Sequence, residues 1–175
     1  MKKTAKFFAE TSKTVLGSKQ ISLNTSIEFG LIIPCLAVAN QKQAFAAISK
    51  KVAASIGINE KILCDRFVEK EKNNPSANGN GLAIMHLQMS GLQKNLNVFV
   101  RMKNAIAMNA PDNKNVDIFC LILTPEREGS SYLQTIARLS RTLRDGDLCK
   151  KIRGAVDEKE IKAIFNPSPS KKIAA

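Results

Sequence analysis

The chain has 175 residues, with 27 Lys plus Arg against 15 Asp plus Glu, a net charge of +12 with its single histidine neutral. A length of this order makes one compact domain, and 44% hydrophobic residues argue against disorder along most of it. The longest apolar stretches, residues 30–38 and 118–123, fall short of the about 20 residues that span a bilayer, which excludes an integral membrane protein.

Residues 1–26 carry five lysines and one glutamate. Met1-Lys2-Lys3 resembles the start of a signal peptide, but Glu10, Thr11, Ser12, Lys13 and Thr14 interrupt any apolar continuation. This stretch is expected to be a basic, flexible extension. From Leu31 the pattern is that of a folded α/β domain, assigned to residues 27–165. Asn40 is placed to cap a helix in which Phe45, Ile48, Val52 and Ile56 recur at spacings of three and four, and Gly57 is placed to end it. A second helix is predicted from about Asn59, with Leu63 and Phe67 on one face and Pro75 beyond its end.

Residues 73–81 are polar and close on Gly79-Asn80-Gly81, which demands unusual backbone angles. Residues 82–87 then read as a strand. Leu96, Val98, Val100 and Met102 alternate with Asn97, Phe99 and Arg101, the pattern of a half-buried strand. Pro111-Asp112-Asn113 is a turn, and 116–123 is an apolar run suited to an interior strand. A loop over 125–131 ends in a serine cap. The helix after it is predicted to run to Arg144 with Leu133, Ile136, Ser140 and Leu143 inward. Two short helices follow, the last opened by Asp157 with Glu160 three residues on, a variant of the capping box. Pro167, Ser168, Pro169 and Ser170 mark a flexible tail over 166–175. Helices at both ends with strands between predict a single α/β domain, a mixed sheet flanked by helices on both faces.

The four cysteines, at 35, 64, 120 and 149, are never closer than 29 residues. That spacing offers neither the paired cysteines of a zinc site nor a disulfide framework. They are expected to be buried free thiols in a cytoplasmic protein, and no metal or cofactor is expected. About half the net charge lies in the two ends, so the body is only mildly basic and a nucleic-acid partner is not expected from charge alone.

His86 follows the glycine- and asparagine-rich loop at the end of a predicted strand. Imidazole titrates near neutral pH, and residues 78–81 could turn backbone N–H groups inward as an anion nest; an Asn80-Gly81 hairpin turn explains the same residues equally simply. No phosphate-binding G-x-x-x-x-G-K-[ST] and no G-x-S-x-G elbow is present.

Three segments carry a family resemblance. Residues 70–86, from Lys70-Glu71-Lys72 through Asn78-Gly79-Asn80-Gly81 to Ala83-Ile84-Met85-His86, are similar to a motif of the form REKxGSTGIGNGIAIPHG. Residues 105–113 are similar to PIAFDAIDN, and Val116-Asp117-Ile118-Phe119 with Thr124-Pro125-Glu126 to its VDLLF strand and VP loop. The chain resembles enzyme IIA of the bacterial phosphotransferase system, fructose–mannitol type, nitrogen-regulatory branch, over residues 31–165.

The resemblance implies that His86 accepts a phosphoryl group from the phosphohistidine of the small carrier HPr. It places Lys70, Ser76, Asn78, Gly79, Asn80, Gly81 and Tyr132 around that group as stabilising residues. Several positions depart from the motif. Lys70 replaces an arginine and loses its fork; Pro75-Ser76-Ala77 replaces Ser-Thr-Gly; Met85 and Leu87 replace the proline and glycine flanking the histidine; Tyr132 replaces a second histidine and cannot become cationic. A degenerate binding module that keeps the fold without phosphorylation is therefore the alternative to a regulatory phosphocarrier. Arg138, Arg141 and Arg144, followed by Lys150, Lys151 and Arg153, read as a solvated face or as a surface for an acidic regulatory partner.

Overall fold

A computed structural model describes residues 27–127 and 129–166. The expected extension over 1–26 lies outside the described residues, as do residues 167–175 of the expected tail. In chain order the elements are β1 (Leu31–Leu36), α1 (Gln41–Ile56), α2 (Glu60–Asn73), β2 (Ala77–Gly79), β3 (Leu82–Met89), β4 (Leu96–Ile106), β5 (Val116–Pro125), α3 (Ser131–Thr142), α4 (Gly146–Gly154) and α5 (Glu158–Phe165). The strands form one sheet in the order β1-β4-β5-β3-β2. β1 with β4 and β3 with β5 are parallel, whereas β4 with β5 and β2 with β3 are antiparallel. The sheet is mixed, as expected.

Local chemistry explains the helix ends. Asn40 accepts from the Gln43 N–H at 2.9 Å and Asn59 from the Ile62 N–H at 3.1 Å, each satisfying an amide that the first helical turn leaves without a partner. Gly57 ends α1 at φ 71°, a left-handed angle that costs glycine little. At α5, Asp157 accepts from the Glu160 N–H at 2.9 Å, while the Glu160 carboxylate reaches back one residue further than a capping box does, to the Val156 N–H at 2.7 Å.

Alternation along the inner strands sends successive side chains to two cores. Val98, Val100, Phe119 and Leu121 meet Phe45, Ile48, Val52, Leu63 and Phe67 under α1 and α2. Phe99, Ile118, Cys120 and Ile122 meet Leu139, Leu143, Ile152, Ile161 and Phe165 under α3, α4 and α5. β5 is buried on both faces, hence its continuous apolar run.

Four local expectations need correction. β4 is not half-buried at its centre: Phe99 is buried with Val98 and Val100, because the second helical layer covers its face. Arg101, on that parity, donates from Nε to the Pro34 carbonyl at 2.7 Å and from Nη1 to the Arg153 carbonyl at 2.6 Å. Leu133 is 51% exposed. The buried Leu139 and Leu143 set the phase of α3, and stepping back by helical spacing leads to Ile136 and Tyr132, with Leu133 a further 100° round. The cap of that helix is Ser130, one residue earlier than expected, and its side chain makes no capping bond. Finally, of the four cysteines expected to be buried, Cys64 is only half-buried and Cys35 is exposed. β1 is an edge strand whose register shifts between Ile33 and Leu36, around a proline that cannot donate to the ladder, and Cys35 lies in that irregular segment.

Candidate functional site

His86 lies on β3 opposite Ile122 of β5, on the sheet face covered by α3. Its Nε2 is 2.9 Å from the hydroxyl of Thr124, a buried residue of β5 on the same face one pair further along. Tyr132, in the first turn of α3, stacks its ring on the imidazole with centroids 3.7 Å apart and planes 12° from parallel. Two sides of the ring are thus fixed by packing.

A cleft of about 380 Å³ opens at this histidine. Lys70 from the last turn of α2, Ser76, Asn78 from β2, and Tyr132 with Ile136 from α3 line it. Lys70 reaches this place because Phe67, one turn earlier, is fully buried and pins α2 to the sheet. Ser76 is set by its backbone: its N–H donates to the Glu71 carboxylate at 3.1 Å and its carbonyl accepts from the Ile84 N–H at 2.9 Å. The buried Ser76 hydroxyl has no hydrogen-bond partner among the described residues. A buried donor without a partner costs about 1–3 kcal/mol, a cost recovered if the side chain turns to an acceptor in the cleft.

Burial holds the imidazole of His86 below its ordinary pKa of 6.5, and the nearby Lys70 charge pushes it the same way. The unfolded chain therefore takes up this proton first as pH falls. The stability associated with neutral His86 is present above 6.5 and is lost as pH drops from there through the lower folded value. An NMR titration of the ring should show its midpoint below 6.5; a midpoint at or above that value would mean the cleft is wetter and Lys70 more distant than this geometry.

The glycine-rich turn is elsewhere. Gly81 is five residues from His86 along an extended strand, about 16 Å at 3.3 Å per residue. Gly79, Asn80 and Gly81 all have positive φ, as a tight hairpin turn requires. The Asn80 N–H is already engaged, donating to Asp112 at 2.7 Å, and the Gly81 carbonyl ties the turn to β5 by accepting from the Asp117 and Ile118 N–H groups. These donors do not form an anion nest at His86. The arginines separate as well. α3 ends at Thr142, so Arg144 leaves the helical row; Arg141 is exposed and Arg138 half-buried.

Thr124 escaped the sequence reading. It reads as the start of the loop matched to VP, just past the apolar run, yet it shares parity with Ile118, Cys120 and Ile122, the face that also carries His86. Cys120 and Cys149 are buried and burial pushes both thiols up, so neither offers a nucleophile.

The model of the family described as "Phosphoenolpyruvate-dependent sugar phosphotransferase system, EIIA 2" matches residues 26–167. The chain belongs to this family. This EIIA chain is 34% identical over 139 residues to the nitrogen regulatory protein of Bradyrhizobium diazoefficiens, covering 79% of the chain and 91% of that protein. Its fold matches the crystal structure of nitrogen regulatory protein IIA-Ntr from Neisseria meningitidis with a TM-score of 0.72 and 19% identity, over 77% of this chain and 92% of that one. It also matches IIA mannitol from Escherichia coli with a TM-score of 0.65 and 15% identity, over 79% and 99%. No helix of this EIIA chain among the described residues is long and apolar enough to cross a membrane.

Proposed function

We propose that the chain is a regulatory phosphocarrier of the cytoplasm, in which His86 accepts a phosphoryl group from the phosphohistidine of HPr and the phosphorylation state selects the bound partner. One observation carries the reading: a neutral, desolvated imidazole shares a cleft with the Lys70 cation and the unpartnered Ser76 hydroxyl. Phosphoryl transfer passes through a metaphosphate-like transition state, so catalysis consists of positioning and charge stabilisation. Those are the parts this cleft supplies.

The step balances without a metal or nucleotide. A ring nitrogen of His86 attacks phosphorus with its lone pair as the donor's P–N bond breaks and the donor imidazole leaves with that electron pair. The Thr124 hydroxyl can accept from Nε2–H or donate to Nε2; in this reading it accepts, which leaves the lone pair on Nδ1. Attack through Nε2 would require the Thr124 hydroxyl to turn away. Lys70 meets the phosphoryl oxygens as a point charge and Ser76 donates to one of them, with Asn78 at the rim and the Tyr132 ring holding the imidazole plane. α3 contains no Asp or Glu and exposes Arg141, which suits an acidic regulatory partner.

A binding module without transfer is the second reading, favoured by the Tyr132 stack and the Thr124 contact, which together immobilise the ring. Incubation with enzyme I, HPr and phosphoenolpyruvate, followed by intact mass, separates the two. A phosphocarrier gains one acid-labile phosphoryl group; a chain that gains none under conditions that phosphorylate HPr is the binding module.

A further inference from the structure

Two sequence features that the His86 site does not use meet in a second cleft. The β2–β3 turn, through Asn80 and Gly81, forms one wall; Arg144, Lys150 and Arg153, from the end of α3 and from α4, form the other. Lys114 and Asn115 close it ahead of β5. Its volume is about 580 Å³, the size of a small-metabolite site.

The wall is rigid. Arg153 donates from Nε and Nη2 to the two oxygens of Asp117 at 2.6 and 2.8 Å, and from Nη2 to the Asn80 carbonyl at 3.0 Å. Its own carbonyl accepts from Arg101 at 2.6 Å. A Cβ on Gly81 would stand 2.7 Å from Arg153 Nη2 and 2.8 Å from Asp117 Oδ1, and Gly81 has φ +79°. Only glycine lets the turn approach this ion pair so closely.

Charge decides what fits. Asp117 is the one carboxylate in the lining, and Arg153 already occupies both its oxygens. Lys114, Arg144 and Lys150 remain around the opening. Lys114 has Asp112 at 3.8 Å and Lys150 has Asp147 at 3.1 Å. Both are solvent-facing pairs of little net worth, which a multiply charged anion would displace. No aromatic side chain lines the cleft, so it offers no platform for a nucleobase, whereas Asn80 and Asn115 offer amides for hydroxyl groups.

We infer that this cleft binds a small phosphorylated polyol, held by Arg144, Lys150 and Lys114 against the Arg153–Asp117 wall, at a site separate from His86. Isothermal titration with glucose 1,6-bisphosphate should give saturable, single-site binding. Arg144→Ala with Lys150→Ala should weaken it about tenfold or more, as loss of charge-assisted contacts does. Lys50→Ala with Lys51→Ala removes the same charge from exposed positions of α1, across the sheet, and should leave affinity unchanged, as should His86→Ala. Absence of saturable heat at millimolar ligand overturns the inference. So do equal losses in the two double variants, which would reduce binding to net charge, and equal affinity for inorganic phosphate, which would leave the polyol unread. Loss of binding in His86→Ala would instead place the ligand in the phosphoryl cleft.

Discussion

His86→Ala should gain no phosphoryl group under conditions in which the wild-type chain gains one, because no other side chain in its cleft has a lone pair suited to the transfer. Graded variants around it test the mechanism more finely. Lys70→Arg restores a planar fork that can bind two equatorial oxygens at once, and Tyr132→His restores a donor that can become cationic; each should speed the transfer. Losing one preorganised donor from such a site costs about 100-fold in rate, and regaining one should return part of that. Ser76→Ala removes the unpartnered donor and should slow transfer without destabilising the fold, since it relieves a buried unsatisfied group. Thr124→Val discriminates between the ring nitrogens. If Nδ1 is the acceptor, losing the hydroxyl frees the tautomer and slows transfer; if valine speeds it, Nε2 is the acceptor and the Thr124 contact a brake. Should Lys70→Arg and Tyr132→His together leave the chain unphosphorylated, the binding module replaces the carrier.

The parts of the fold written in local chemistry were legible. Asn40 with Gly57 and Asn59 with Pro75 bracket two helices, and a run apolar at both parities marks β5 as interior. What failed depended on partners distant in sequence. β2 is three residues without an apolar pattern and is a strand only because β3 pairs with it. Asn97 and Arg101 gave β4 the look of one wet face, but α3 to α5 cover Phe99 between them, and Arg101 satisfies its guanidinium on two carbonyls. At the site, Gly79, Asn80 and Gly81 were grouped with His86 by nearness in sequence and by the resemblance, and the length of an extended strand carries them away. Lys70, Ser76, Asn78 and Tyr132, spread over sixty residues, do line one cleft with it. Only the resemblance, not spacing, suggested that grouping.

Phe67→Ala should destabilise the fold strongly, and its neighbour provides the control. Phe67 is fully buried, with its ring centroid 5.4 Å from that of Phe45, whereas Val68, the next residue, is 52% exposed. Truncating a buried phenylalanine costs about 3–5 kcal/mol, through lost transfer energy and the cavity left behind. For a chain of this size that lowers the melting temperature by about 10 °C. Val68→Ala should stay within about 0.5 kcal/mol, as exposed substitutions do. Both are measurable by denaturant titration. The two changes also separate packing from chemistry, because Lys70 lies one turn beyond Phe67 and owes its place in the cleft to that anchor. At temperatures where Phe67→Ala remains folded, it should transfer phosphoryl more slowly than Val68→Ala, since a misplacement of about 1 Å far from the chemistry can cost 100-fold. Equal rates in the two variants would show that Lys70 does not depend on α2 being pinned, and that its charge acts on His86 without fixed geometry.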